Sequence, residues 1–109
     1  MVSPITELNQ YQDLAGKFQP PAVPPEERIF GLLEEAGEVA GVFKRMLRGD
    51  YSPDVAGEKL MKELGDVLWY LSRVAADNNV TLQQIAEANI DKLESRLIRN
   101  KLMGNGDDR

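Results

Sequence analysis

The chain contains neither cysteine nor histidine. The first absence excludes disulfides, thiolate metal sites and cysteine nucleophiles; the second excludes imidazole acid–base catalysis and His-ligated metals. No apolar stretch approaches the roughly 20 residues needed to cross a bilayer. The N-terminus, MVSPITELNQ, has no basic segment followed by an apolar run. Basic residues are also the minority, 13 against 18 acidic, for a net charge of -5. A polyanionic DNA or RNA backbone is therefore not attracted to the chain as a whole. We expect a cytoplasmic protein with no nucleic-acid polymer and no membrane as partner. Carboxylates, lysine, arginine and hydroxyls are what remain for chemistry.

The 109 residues suffice for one core, or a share of a dimer's core, and not for two domains. Hydrophobic periodicity predicts an all-α chain with four helices and no strand. Ser3 and Pro4 read as an N-cap and first helical residue, opening a helix with Ile5, Leu8, Tyr11, Leu14, Ala15 and Phe18 on one side. The stretch QPPAVPPEE, with four prolines in six residues, cannot continue it and reads as an intradomain connector. A second helix is expected from about Glu26 to Arg48, with acids in its first turn, Lys44, Arg45 and Arg48 in its last turns, and Gly49 as its stop. A third is expected from Pro53 or Asp54 to Asp77, closed by Asn78 and Asn79. Thr81 with Gln84 matches a capping box and starts a fourth, carrying Leu82, Ile85, Ala86, Ile90, Leu93 and Leu97 and fading near Leu102. Residues 1–103 are thus expected to form one helical domain, and residues 104–109, GNGDDR, a disordered tail.

Helical wheels expose an anomaly. On the second helix Ile29, Leu32, Leu33, Ala36, Val39, Val42, Phe43 and Met46 fill one broad arc, yet Glu35 falls inside it and Glu38 at its margin, with Glu34 further toward solvent. On the third, Glu63 and Asp66 occupy the border of the arc formed by Leu60, Leu64, Val67, Leu71 and Val74. Each acidic pair is three residues apart and so projects from one face of its helix. Two antiparallel helices packed along these arcs would gather four carboxylates, and such a cluster needs a cation. Only hard oxygen ligands are offered, which suits Mg²⁺, Mn²⁺ or Ca²⁺. A di-iron bundle would need Glu-x-x-His motifs, which a chain without histidine cannot have. Mg²⁺ commonly completes its shell with substrate phosphates, which points to a phosphorylated substrate.

The pattern E-E-x-x-E on one helix and E-x-x-D on the next, Glu34, Glu35 and Glu38 followed by Glu63 and Asp66 within KELGDVLWYL, resembles the MazG-like all-α nucleoside triphosphate pyrophosphohydrolases. LLEEAGEVAGVFKRMLRG and ANIDKLESR look like segments of that family in the same order, and the resemblance covers about residues 5 to 97. It implies a four-helix MazG-like bundle completed by homo-oligomerisation, as a homodimer or homotetramer. It also implies Mg²⁺-dependent hydrolysis of a (deoxy)nucleoside triphosphate to the monophosphate and pyrophosphate, with Mn²⁺ as a possible substitute.

Carried over residue by residue, the resemblance makes Glu35, Glu38, Glu63 and Asp66 the metal ligands and Glu34 an accessory acid or a base that orients water. It further points to Lys92 and Arg96 for phosphate, Asn89 for sugar or base, and Tyr70 as a second phosphate contact. Base-pocket candidates are Gln12, which interrupts the apolar stripe of the first helix, Phe18 and Trp69; Trp69 and Tyr11 also read as core or interface residues. Gly37, Gly41 and Gly65 are expected to permit close helix contacts or the approach of a ligand, since glycine costs roughly 1 kcal/mol against alanine inside a helix. Two alternatives stay open at this point: a non-catalytic nucleotide-binding or dimerisation module, and a diphosphatase acting on another nucleotide such as an alarmone.

Overall fold

A computed structural model describes residues 3–99, and over these the chain is helical without strands. Helix α1 spans Leu8–Ala15 and runs into a single 3-10 turn, Gly16–Phe18; α2 spans Pro25–Leu47, α3 Pro53–Asp77 and α4 Leu82–Ile98. The tail expected at residues 104–109 lies outside the described residues.

Helix boundaries follow from local chemistry. Both long helices begin at prolines, Pro25 and Pro53, where the missing N–H is harmless. The Ser52 hydroxyl accepts from the Val55 amide to cap α3, and the Thr81/Gln84 capping box closes at the start of α4. Gly49, at φ 86, ends α2 with paired bonds from the Gly49 amide to the Met46 carbonyl and from the Asp50 amide to the Arg45 carbonyl, the Schellman arrangement. Asn79, at φ 58, ends α3 in the same way, its own amide donating to Ala76 and that of Val80 to Ala75.

The expected start of the first helix is corrected. Residues 3–6 are not helical, and α1 begins at Leu8 with Glu7 as its N-cap. Glu7 is extended, at φ -136 and ψ 145, which interrupts any helix running in from Pro4, and the Gln10 side-chain oxygen reaches back to accept from the Thr6 amide at 2.9 Å. Ile5 instead lines an apolar hollow beside Tyr11, Leu14 and Phe18.

The proline connector holds Ala22 at φ 60, a left-handed conformation that costs an L-residue with a Cβ roughly 1–2 kcal/mol. Ala22→Gly removes that cost but adds freedom to the unfolded chain. The expected net is a gain of about 0.5–1 kcal/mol, read as a higher urea midpoint at an unchanged slope. A lower midpoint would show that the turn is not strained at this position.

Helices α2 and α3 make the most extensive contact, α1 packs on α3, and α4 rests chiefly on α1. Arg28 near the start of α2 forms a two-pronged ion pair with Asp77 at the end of α3, Nε to Oδ2 at 2.6 Å and the terminal nitrogen to Oδ1 at 2.9 Å.

Polar ends, more than apolar area, hold α1. From α3, Trp69 Nε1 donates to the Ala15 carbonyl at 3.1 Å and Arg73 donates to the Gln12 carbonyl, so two side chains one turn apart satisfy the C-terminal carbonyls of α1. Arg73 is buried, and the negative end of α1 stands where a counter-ion would otherwise be needed. From α1, Gln12 Oε1 accepts from the Leu82 amide at 2.8 Å and Asn9 Oδ1 from the Gln83 amide at 3.1 Å, capping α4.

The described core is thin: its buried hydrophobics are Ala15, Val42, Ala56, Ala75 and Leu82. Phe30 is 70% exposed and Leu33 73%, and Leu47, Met61, Leu97 and Ile98 are similarly open. The radius of gyration is 16.8 Å, against about 13 Å for a compact domain of this length. Large apolar faces of α2, α3 and α4 therefore lie uncovered in the single chain. Among the described residues, no helix is long and apolar enough to cross a membrane.

Candidate metal centre

Helices α2 and α3, joined by the short turn between Leu47 and Pro53, run antiparallel, so that later residues of one meet earlier residues of the other. Arg28 pairs with Asp77, Gly31 lies under Tyr70, and Glu35 meets Glu63 and Asp66. One carboxylate oxygen from each of Glu35, Glu63 and Asp66 lies within 4.8 Å of the other two. Glu35 and Glu63 are half-buried and Asp66 is exposed.

The electrostatics match that crowding. The Glu35 carboxyl is held above its ordinary range, first by burial, then by Asp66, Glu63 and Glu34 around it. Three acidic oxygens in one place, with no nitrogen or sulfur donor, fit a hard divalent cation and no soft one. Tyr70, one turn beyond Asp66, is raised too: burial is the largest cause, followed by Glu27, Glu35, Glu34 and Asp66. Its ring stands edge-on to Trp69 at 5.0 Å between centroids.

Beside this cluster Ile5, Tyr11, Leu14, Lys17, Phe18 and Trp69 surround a mainly apolar hollow of about 330 Å³. Tyr11 links the two features. Burial raises its hydroxyl pKa, Arg73 opposes the rise, and the negative charge of Asp66 adds to it. The Trp69 indole N–H is already committed to the Ala15 carbonyl, so its ring is offered to the hollow as a surface and not as a donor.

A model of the MazG nucleotide pyrophosphohydrolase domain matches residues 24–98, from just before α2 to the end of α4. The chain belongs to the MazG family. It is also 40% identical over 82 residues to "Gene 37 protein" of Mycobacterium phage L5, an alignment covering 72% of this chain and 71% of that protein. No solved structure matches it.

Within this MazG domain the sequence-predicted residues separate into groups. Glu35, Glu63 and Asp66 come together, whereas Glu38 is exposed and belongs to no such carboxylate group among the described residues. The gathering of four carboxylates expected from the wheels is therefore a gathering of three. Register is not the cause, since the pairing of Gly31 with Tyr70 and of Glu35 with Asp66 brings Glu38 level with Glu63; it is the exposed Glu38 carboxylate that stands apart. Glu34 is exposed beside Glu35.

Gln12 is 7% exposed, and its amide is spent within the fold. Nε2 donates to the carbonyls of Val80 at 3.0 Å and Ser72 at 3.4 Å, while Oε1 takes the Leu82 amide. The break it makes in the apolar stripe of α1 thus has a structural reason. On α4, Asn89 is exposed, Lys92 half-buried and Arg96 only 4% exposed, so Arg96 is no ordinary surface cation. Because α4 rests on α1, these residues are not set over the α2–α3 pair by any extensive contact within one chain.

The glycines bring a further correction. A Cβ at Gly37 or Gly65 would meet nothing within 4 Å, and at Gly41 only Arg45 of the same helix. The tight position in this MazG domain is Gly31, which the wheel gave no reason to single out; its contact depends on the pairing of α2 with α3, not on either helix alone.

Proposed function

We infer that this MazG domain hydrolyses a nucleoside triphosphate to the nucleoside monophosphate and pyrophosphate. The observation that carries the reading is the meeting of Glu35, Glu63 and Asp66 across α2 and α3. These three would hold Mg²⁺, or Mn²⁺ in its place, with Glu38 as a further ligand from the exposed turn that follows. When bound, the metal supplies charge neutralisation on the phosphoryl oxygens and a lowered pKa for a water. Phosphoryl transfer needs little beyond positioning and charge stabilisation, which suits a site without histidine or cysteine.

The chain's own residues supply the positioning. Glu34 orients the attacking water and takes its proton. Tyr70 turns its hydroxyl toward the phosphates, as Lys92 and Arg96 do with their charges, and Asn89 contacts the sugar or base. The base enters the hollow against Trp69 and Phe18, whose volume suits a planar ring. Gln12, bound into the fold, contributes by holding α1 as one wall of that hollow.

The exposed apolar faces of α2, α3 and α4 support a homodimer or homotetramer in which a second copy covers them and brings its α4 toward the cluster. A cytoplasmic enzyme acting on a small nucleotide needs no nucleic-acid polymer as partner. The test is pyrophosphate release from the eight common ribo- and deoxynucleoside triphosphates, with Mg²⁺ and with EDTA. Mg²⁺-dependent release with monophosphate as co-product is the expected result. Nucleotide binding without turnover in any of the eight would instead favour a binding module.

A further inference from the structure

Gly31 lies in the middle of α2, where alanine would favour the helix more. Its lack of a side chain is used by α3: a Cβ built there would overlap the Tyr70 ring, standing 2.5 Å from Cζ and 2.7 Å from Cδ1. Carbon atoms in ordinary contact stand about 3.5–4.0 Å apart. The aromatic ring is therefore seated on the α2 backbone itself.

The place of this contact gives it meaning. Gly31 is one helical turn before Glu35, and Tyr70 is one turn after Asp66. The seat is thus the next rung of the antiparallel pair above the rung on which those carboxylates meet. Trp69 stands edge-on to the ring at 5.0 Å and limits its retreat. A side chain at position 31 must therefore displace the ring beside the cluster, either by turning it aside or by moving α3 away from α2.

We propose that Gly31 is a positioning residue for the metal centre: by seating Tyr70 it sets the separation of α2 and α3 at which Glu35, Glu63 and Asp66 close on one cation. This rests on the reading of those three carboxylates as a metal site. Residues behind metal ligands typically govern affinity by roughly 10–100-fold, and Gly31 acts through spacing in the same way.

The experiment titrates Mn²⁺ alone, without nucleotide, into the full chain and follows free Mn²⁺ by electron paramagnetic resonance, with thermal melts in parallel. Gly31→Ala is expected to weaken Mn²⁺ binding roughly tenfold or more while remaining helical. The double variant Gly31→Ala with Tyr70→Ala, which makes room for the new methyl group, is expected to recover most of the lost affinity. A folded Gly31→Ala chain that binds Mn²⁺ as the parent does would overturn the proposal, because the ring would then have moved aside without consequence. So would a double variant no tighter than the single one. Should Gly31→Ala not fold, the double variant decides: parent-like Mn²⁺ binding supports the seat, and a chain that fails to fold or to bind sinks it. A parent chain that binds no Mn²⁺ at all places the failure on the metal reading itself.

Discussion

Glu35→Gln is expected to abolish Mg²⁺-dependent pyrophosphate release, by at least about 10²–10³-fold, and at the same time to raise the melting temperature of the metal-free protein at neutral pH. Both effects come from one carboxylate. Glu35 is the α2 member of the acidic trio, and without its charge the cation loses the only one of the three donors that α2 contributes. Without a cation, however, the same charge is a liability. Burial first, and then Asp66, Glu63 and Glu34, raise the pKa of this carboxyl above its ordinary 4.5 in the folded chain.

The direction of the pH effect follows. A raised acid binds its proton more tightly folded than unfolded, so the associated stability is full below about pH 4.5 and is lost as pH climbs through the higher folded value. Melts in EDTA should therefore decline across that window for the parent chain and decline less for Glu35→Gln. Adding Mg²⁺ should reverse the order, since a ligand bound only by the folded state stabilises it by an amount that grows with the logarithm of its concentration over Kd. A variant that melts below the parent in EDTA at pH 7.5 would show that Glu35 supports the fold and not a metal.

The second large effect belongs to Gln12→Leu. The two side chains are of similar size, so little cavity is created, but the Leu82 amide and the Val80 and Ser72 carbonyls lose their amide partner. A buried polar group left unmet costs roughly 1–3 kcal/mol. The Ser72 carbonyl, inside α3, keeps its helical partner, so the two groups left unmet predict a loss of about 2 kcal/mol or more, and a melting temperature lower by roughly 8 °C or more. The order of preference among the eight nucleotides should not change in protein kept folded at low temperature. A changed base preference with an unchanged melting temperature would instead make Gln12 a reader of the base.

What the sequence carried plainly was local. Pro53, Thr81 with Gln84, and Gly49 each act within a few residues of themselves, so the starts of α3 and α4 and the end of α2 could be read from their caps. The three-residue spacing of Glu63 and Asp66 was legible for the same reason. The illegible parts depend on pairing between distant segments. Glu38 satisfied the spacing rule as well as Glu63 did, and comes level with Glu63 in the pairing, yet its exposed carboxylate stands outside the trio. Gln12 looked like a polar interruption awaiting a ligand because its partners are 60 to 70 residues away. Gly31 was hidden among helical glycines such as Gly37, Gly57 and Gly65, at which a Cβ would meet nothing within 4 Å. The start of α1 falls where Glu7 turns extended and Gln10 reaches back to the Thr6 amide, which propensity does not anticipate.

The way α1 is tied down also sets an order of assembly. Helices α2 and α3 are neighbours in sequence and can meet by closing one short turn, and that hairpin contains Glu35, Glu63, Asp66 and the Gly31 seat. The bonds of α1 to Trp69, Ser72, Arg73, Val80 and Leu82 span 54 to 70 residues, so they must wait for long loop closures. The carboxylate cluster is thus expected to form early and the hollow beside it late. On partial unfolding we expect the reverse: α1 leaves first, taking with it one wall of the hollow, while the hairpin keeps its three acids together.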